Sequence, residues 1–161
     1  MNIDEYENGG RALYAEFAQE VVKILQAAVA ERTGLRLQSI QHRAKEVRSL
    51  RTKLDKAGAA ADAAIGDIAK DIAGCRLIFY TNGDVYRFGQ SGILRENFEV
   101  DYDRSKIHYP NSKGDDADFF ISENWVVTLS DVRCALPEYR RFAGLRCEIQ
   151  VQTILDHAWA E

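Results

Sequence analysis

Asp71-Ile72-Ala73-Gly74-Cys75-Arg76-Leu77-Ile78-Phe79-Tyr80, followed by Thr81-Asn82-Gly83-Asp84, is the stretch on which the fold turns. Residues 75–80 form a short apolar run bounded by Gly74 and a turn-forming tetrapeptide, the pattern of a buried strand. Asp71 stands just before this run and Arg76 inside it. A second run carries Glu148-Ile149-Gln150-Val151-Gln152. Here Glu148, Gln150 and Gln152 share one face of a strand, and Ile149 and Val151 share the other. Two carboxylates embedded in apolar strand sequence are costly unless something pairs with them. A hard divalent cation shared with substrate phosphates is one solution, and ion pairs with basic side chains are another. Spacing leaves both open.

Working outward, Leu13, Phe17, Val21, Ile24, Leu25 and Ala28 recur at steps of three and four, which predicts an amphipathic helix. Gly34 ends it, and an alternation from Leu35 predicts a strand to about residue 43. Residues 48–56 read as a basic helix and 61–70 as another helix disturbed by Gly66. Beyond the 75–80 strand come a helix over 85–96, a short strand over 98–101, and a polar loop over 103–118. A strand over 125–129, a short helix or turn over 137–142, a strand over 145–151 and a helix from about residue 153 complete the chain. Strands and helices interleave without a regular βαβ rhythm, and no Gly-rich phosphate loop is present. Bound phosphates must therefore be held by side-chain cations.

Those cations are concentrated in His42-Arg43-Ala44-Lys45-Glu46-Val47-Arg48-Ser49-Leu50-Arg51-Thr52-Lys53, with five Arg or Lys against one carboxylate. Arg43 and Lys45 share a face on a strand, as Ser49 and Lys53 do on a helix. A strand-to-helix passage that gathers them on one side fits a triphosphate clamp. On the run alone, a solvated basic helix is the favoured reading.

The bulk numbers narrow the class. The 161 residues suit one domain, with 46% hydrophobic and 29% charged residues, the profile of a soluble globular chain. A net charge of −4 means that any polyanion is held by a local patch. No secretory signal or membrane-spanning run is visible, so no membrane partner is expected. Three widely spaced cysteines, Cys75, Cys134 and Cys147, point to a reducing, cytoplasmic setting.

The ordered motifs Arg-x-Lys-x-x-x-Ser-x-x-x-Lys from Arg43, Asp-Ile-Ala-Gly-x-Arg from Asp71, Glu-Ile-Gln-Val-Gln-Thr from Glu148 and His-Ala-Trp-Ala-Glu from His157 resemble the RelA/SpoT synthetase domain. The resemblance runs from about Ile40 to Glu161. It implies an α+β fold, a mixed β-sheet flanked by helices and similar to nucleotidyltransferases. It implies a pyrophosphokinase that binds ATP with Mg²⁺ and transfers the β,γ-diphosphate to the 3′-hydroxyl of GDP or GTP, giving guanosine tetra- or pentaphosphate and AMP. By matching position, Arg43 and Arg76 sandwich the adenine, Lys45 and Lys53 with Ser49 hold the phosphates, Asp71 and Glu148 bind Mg²⁺, and Gln150 orients the attacking hydroxyl. Glu148 is also a candidate catalytic base.

The acceptor side departs from the family. Where Gly-Tyr-x-Ser-x-His is usual, the best match is Phe119-Phe120-Ile121-Ser122-Glu123-Asn124, read as lying just before the strand at Trp125. Phe120 then replaces the base-stacking tyrosine, Ser122 agrees, and Asn124 replaces histidine. Phenylalanine still stacks on a base, but Asn124 carries no proton. Two other readings follow: a toxin-type enzyme that pyrophosphorylates the 3′ end of tRNA, with Arg48, Arg51 and Lys56 as a backbone-binding patch, and a nucleotide-binding module without turnover. His157 is read as structural. The sequence stops inside its last helix where family domains continue, so a C-terminal truncation is expected. It leaves a homo-oligomer open.

Overall fold

A computed structural model describes residues 1–108 and 121–160, the side chains of Trp159 and Ala160 excepted. The chain enters through a short helical segment kinked at Gly9, whose φ of 139° suits glycine. Helix α1 follows over Arg11–Ala30. Strand β1 spans Leu37–Ala44 and helix α2 Val47–Lys56. After a single helical turn at Ile65–Ile68, strand β2 spans Ala73–Phe79. Helices α3 (Asn82–Gln90) and α4 (Ile93–Asn97) lead to strands β3 (Phe98–His108) and β4 (Ser122–Leu129). Short turns at Asp131–Cys134 and Arg140–Phe142 precede strand β5 (Cys147–Thr153) and helix α5 (Ile154–Ala160).

The five strands form one sheet in the order β1-β2-β5-β4-β3. Strands β2 and β5 run parallel and every other neighbouring pair is antiparallel, so this is the mixed sheet flanked by helices that the sequence implies. Its two faces divide by alternation. Ala73, Cys75, Leu77 and Phe79 of β2, with Cys147, Ile149 and Val151 of β5, join Phe17, Val21 and Leu25 of α1 in the core. The opposite face carries Arg43, Gly74, Arg76, Glu148 and Gln150. Burial of the first face fixes the register, because a slip of one residue would exchange the two faces.

Four expectations change. The helix over 61–70 reduces to the one turn Ile65–Ile68, because the segment offers the core little beyond Ile65 and Ala69, and so short a helix depends on packing. The helix over 85–96 divides at Gly92, where φ is +80°. Strand β3 continues to His108 through residues expected to be loop. A bulge between Asp101 and Lys106 lets a polar edge strand pair onward with β4. Strand β4 begins at Ser122 rather than at Trp125, so Ser122 and Asn124 are strand residues.

Candidate active site

Register places the chemistry-bearing side chains in two rows on the face away from α1. One row reads Arg43, Gly74, Glu148, Val126, Asp101 across β1, β2, β5, β4 and β3. The next reads Gln41, Arg76, Gln150, Asn124, Lys106. Residues 22 to 74 positions apart in the chain become neighbours because β5 inserts between β2 and β4.

A cavity of about 130 Å³ opens on these rows, lined among others by Arg43, Asp71, Gly74, Arg76, Glu148 and Gln150. A space of about 150 Å³ accepts benzene inside a protein, so the cavity has the scale of one flat ring. Gly74 forms part of its floor. A Cβ there would lie 3.8 Å from Arg43 Cγ, and its absence leaves an open slot beside Arg43 in a cavity that Arg76 also lines; the planar guanidinium faces of both suit stacking on a base.

Beside the slot, Lys45 Nζ donates to Asp71 Oδ2 at 2.5 Å and Lys53 Nζ to Asp71 Oδ1 at 2.9 Å. Lys45 comes from the end of β1 and Lys53 from the middle of α2, so the turn between them brings both to one carboxylate. Burial alone would raise the Asp71 pKa, but the hydrogen bonds and charges of Lys45 and Lys53 prevail and hold it at about 2. Ser49 lies one helical turn before Lys53 and is exposed. Glu148, nearly buried, pairs with Lys70 at 3.3 Å and accepts from the Gln150 amide at 3.2 Å. Arg76 Nε donates to Gln150 Oε1 at 3.3 Å.

Asp71 and Glu148 therefore bring hard oxygen donors to one cavity. Among the described residues no group of three or more His, Cys, Asp or Glu is arranged to hold a metal ion. The donor set fits a cation that takes one or two carboxylates and completes its shell with substrate phosphates and water, not one caged by protein alone. Both carboxylates also pair with lysines, Asp71 with Lys45 and Lys53 and Glu148 with Lys70.

The structure thus gathers Arg43, Lys45, Lys53, Asp71, Arg76, Glu148 and Gln150. On the acceptor side, Asn124 lies beside Gln150 in register, and Ser122 is on the same strand two residues earlier. Phe120 and Phe119 lie outside the described residues. Arg51 is ion-paired with Asp4 and Glu7 at the surface. Sequence reasoning did not single out Lys70, and it read His157 as structural. The His157 Nδ1 lies 3.2 Å from Arg76 Nη1. Neither contact has a signal in spacing, since both need the register of β2 against β5. Among the described residues no helix is long and apolar enough to cross a membrane.

This sheet, with its helices and its cavity on the β2/β5 face, is the fold of the small alarmone synthetases. Small alarmone synthetase 1 from Bacillus subtilis superposes with a TM-score of 0.68 over 98% of this chain and 75% of its own, at 18% identity. The same enzyme bound to its product pppGpp gives 0.66 over 91% and 74%, at 19% identity. A GTP pyrophosphokinase family protein from Streptococcus pneumoniae gives 0.67 over 99% and 74%, at 17% identity. By sequence the chain matches no family profile and no curated protein, so the likeness is one of fold.

Proposed function

We propose that this protein is a pyrophosphokinase that transfers the β,γ-diphosphate of ATP to the 3′-hydroxyl of GDP or GTP. The observation that carries this reading is the slot between Arg43 and Arg76, floored by Gly74, with the Lys45–Lys53–Asp71 cluster and Glu148 at its margin. A ring-sized slot flanked by two guanidinium groups receives the adenine. The two lysines, already arranged around an anionic carboxylate, receive the phosphates. That neighbouring solved structures of this fold include complexes with pppGpp and with AMPCPP, an ATP analogue, adds support.

Mg²⁺ would be held by Asp71 and Glu148 together with phosphate oxygens, and it would neutralise charge on the transferred group. Phosphoryl transfer rests on positioning and electrostatics, and the chain's own residues supply both. Arg43 and Arg76 fix the donor base. Lys45 and Lys53 hold the phosphate chain in line. Gln150, adjacent to Asn124 on the acceptor side, orients the attacking hydroxyl. Glu148 accepts its proton as the oxygen bonds to the β-phosphorus and the bond to the α-phosphate oxygen breaks, releasing AMP. Alignment of two bound reactants is worth up to roughly 7–11 kcal/mol.

The test is incubation with γ-labelled ATP and Mg²⁺ in parallel with GDP, GTP, deacylated tRNA or no acceptor. Label on GDP or GTP with AMP released, and none with Glu148→Gln, is the expected result. Label on tRNA alone would replace the acceptor and keep the donor chemistry. ATP binding with no transfer to any acceptor would leave only a nucleotide-binding module.

A further inference from the structure

Arg76 is held at two of its nitrogens. Its Nε donates to Gln150 Oε1 at 3.3 Å, and its Nη1 lies 3.2 Å from His157 Nδ1. Guanidinium offers donors only, so the imidazole Nδ1 must accept, and the ring proton of a neutral His157 sits on Nε2. The Gln152 amide nitrogen lies 3.3 Å from the same Nδ1, a second donor consistent with that tautomer. On the other side the chain of bonds continues from Gln150 to Glu148 Oε2 at 3.2 Å. A planar group bonded at two nitrogens cannot turn about its stem, so its orientation beside the cavity is set before any nucleotide arrives. Arg43, across Gly74, has no such holder among the described residues.

We infer that His157 is a positioning residue for the donor site: by accepting from Arg76 it presents the guanidinium to the incoming base, and so helix α5 sets the affinity for ATP. The inference rests on the reading of the Arg43–Arg76 slot as the donor site. Preorganisation of this kind acts on binding, and a lost hydrogen bond to a charged group is worth at least a tenfold change in affinity. Asparagine at 157 carries an amide oxygen at nearly the place of Nδ1 and so preserves the acceptor. Leucine fills similar volume without it.

The experiment measures binding of AMPCPP to the full chain by calorimetry for the wild type, His157→Asn and His157→Leu, with thermal melts as a folding control. We expect His157→Asn to stay within about threefold of wild type and His157→Leu to bind at least about tenfold more weakly. In turnover the His157→Leu loss should fall on KM for ATP and leave KM for the acceptor unchanged. Long-range ¹H–¹⁵N NMR of the ligand-free protein should show Nδ1 unprotonated. If His157→Leu fails to fold, His157→Ala on this half-buried helix serves in its place. A wild type that binds the analogue no better than His157→Leu, or a ring whose Nδ1 carries the proton in its neutral form, overturns the inference and leaves the donor site standing. A wild type that does not bind the analogue at all overturns both.

Discussion

In the proposed site, Asp71 is the residue on which nucleotide and metal binding would meet. Both its oxygens accept from Lys45 and Lys53, the same cations proposed to hold the phosphates. An arriving triphosphate competes for these lysines and frees the carboxylate, so nucleotide and divalent cation should bind cooperatively. Removing one lysine should uncouple them. Lys53→Met is expected to bind Mn²⁺ about tenfold more tightly than wild type when no nucleotide is present, within the usual range of coupling energies, and to bind ATP more weakly. Electron paramagnetic titration of Mn²⁺ checks this, and equal affinities would show that the ion pairs do not guard the carboxylate. Gly74 allows a second test. Gly74→Leu would put a side chain on the floor of the slot, where a Cβ itself meets only ordinary contacts. We expect ATP binding to be lost while the melting temperature stays close to wild type. At this scale part of the cluster was legible: Arg43, Arg76, Glu148 and Gln150 sit at strand positions, and Lys45 and Asp71 flank strands β1 and β2. Lys70 and His157 were not, because their partners are chosen by strand register and not by spacing.

At the scale of elements, the strands packed against α1 were readable and the polar ones were not. The strand near 75–80 is legible as a short apolar run, and the one over 145–151 by the alternation of Glu148, Gln150 and Gln152 with Ile149 and Val151. Residues 103–108 are polar because they lie on an exposed edge, and only pairing with β4 makes them strand. Gly89, in the last turn of α3, faces Glu123, a fully buried carboxylate on β4 that accepts the Trp125 indole N–H at 2.8 Å. A Cβ at position 89 would come within 2.5 Å of Glu123 Oε1. A carboxylate buried this deeply has little room to yield, so Gly89→Ala should destabilise the fold by about 1–3 kcal/mol, whatever helix propensity it gains. Urea unfolding checks it, and an unchanged midpoint would mean that the side chain of Glu123 relocates without penalty.

For the molecule as a whole, several aspartates make stability depend on pH. Asp71 and Asp84 are each lowered from 3.8 to about 2. Burial works against both shifts. It is outweighed at Asp71 by the two lysines, and at Asp84 by hydrogen bonds from Thr81, Arg87 and Arg36. Asp101 is also lowered, with burial opposed by Arg104. Carboxylates with depressed pKa values stabilise the folded state fully above their unfolded pKa, and that contribution disappears as pH falls through the folded value. Stability should therefore decline from about pH 4 to about pH 2, with Asp71 alone contributing on the order of 2 kcal/mol. Urea melts at pH 5 and pH 2.5 measure the difference, and Asp84→Asn should flatten it.

The strand order has a consequence during synthesis. Strand β5 lies between β2 and β4 yet is made after both, so a nascent chain holds a β1–β2 pair and a β3–β4 pair with nothing to join them. Pairings of such high sequence separation form late, and until residue 153 has cleared the ribosome the inward edges of β2 and β4 stay open to other chains. Glu148 and Gln150 reach the cavity only once β5 docks, so an incomplete polypeptide lacks them. Its exposed edges make the same interval the one in which a chaperone is most needed.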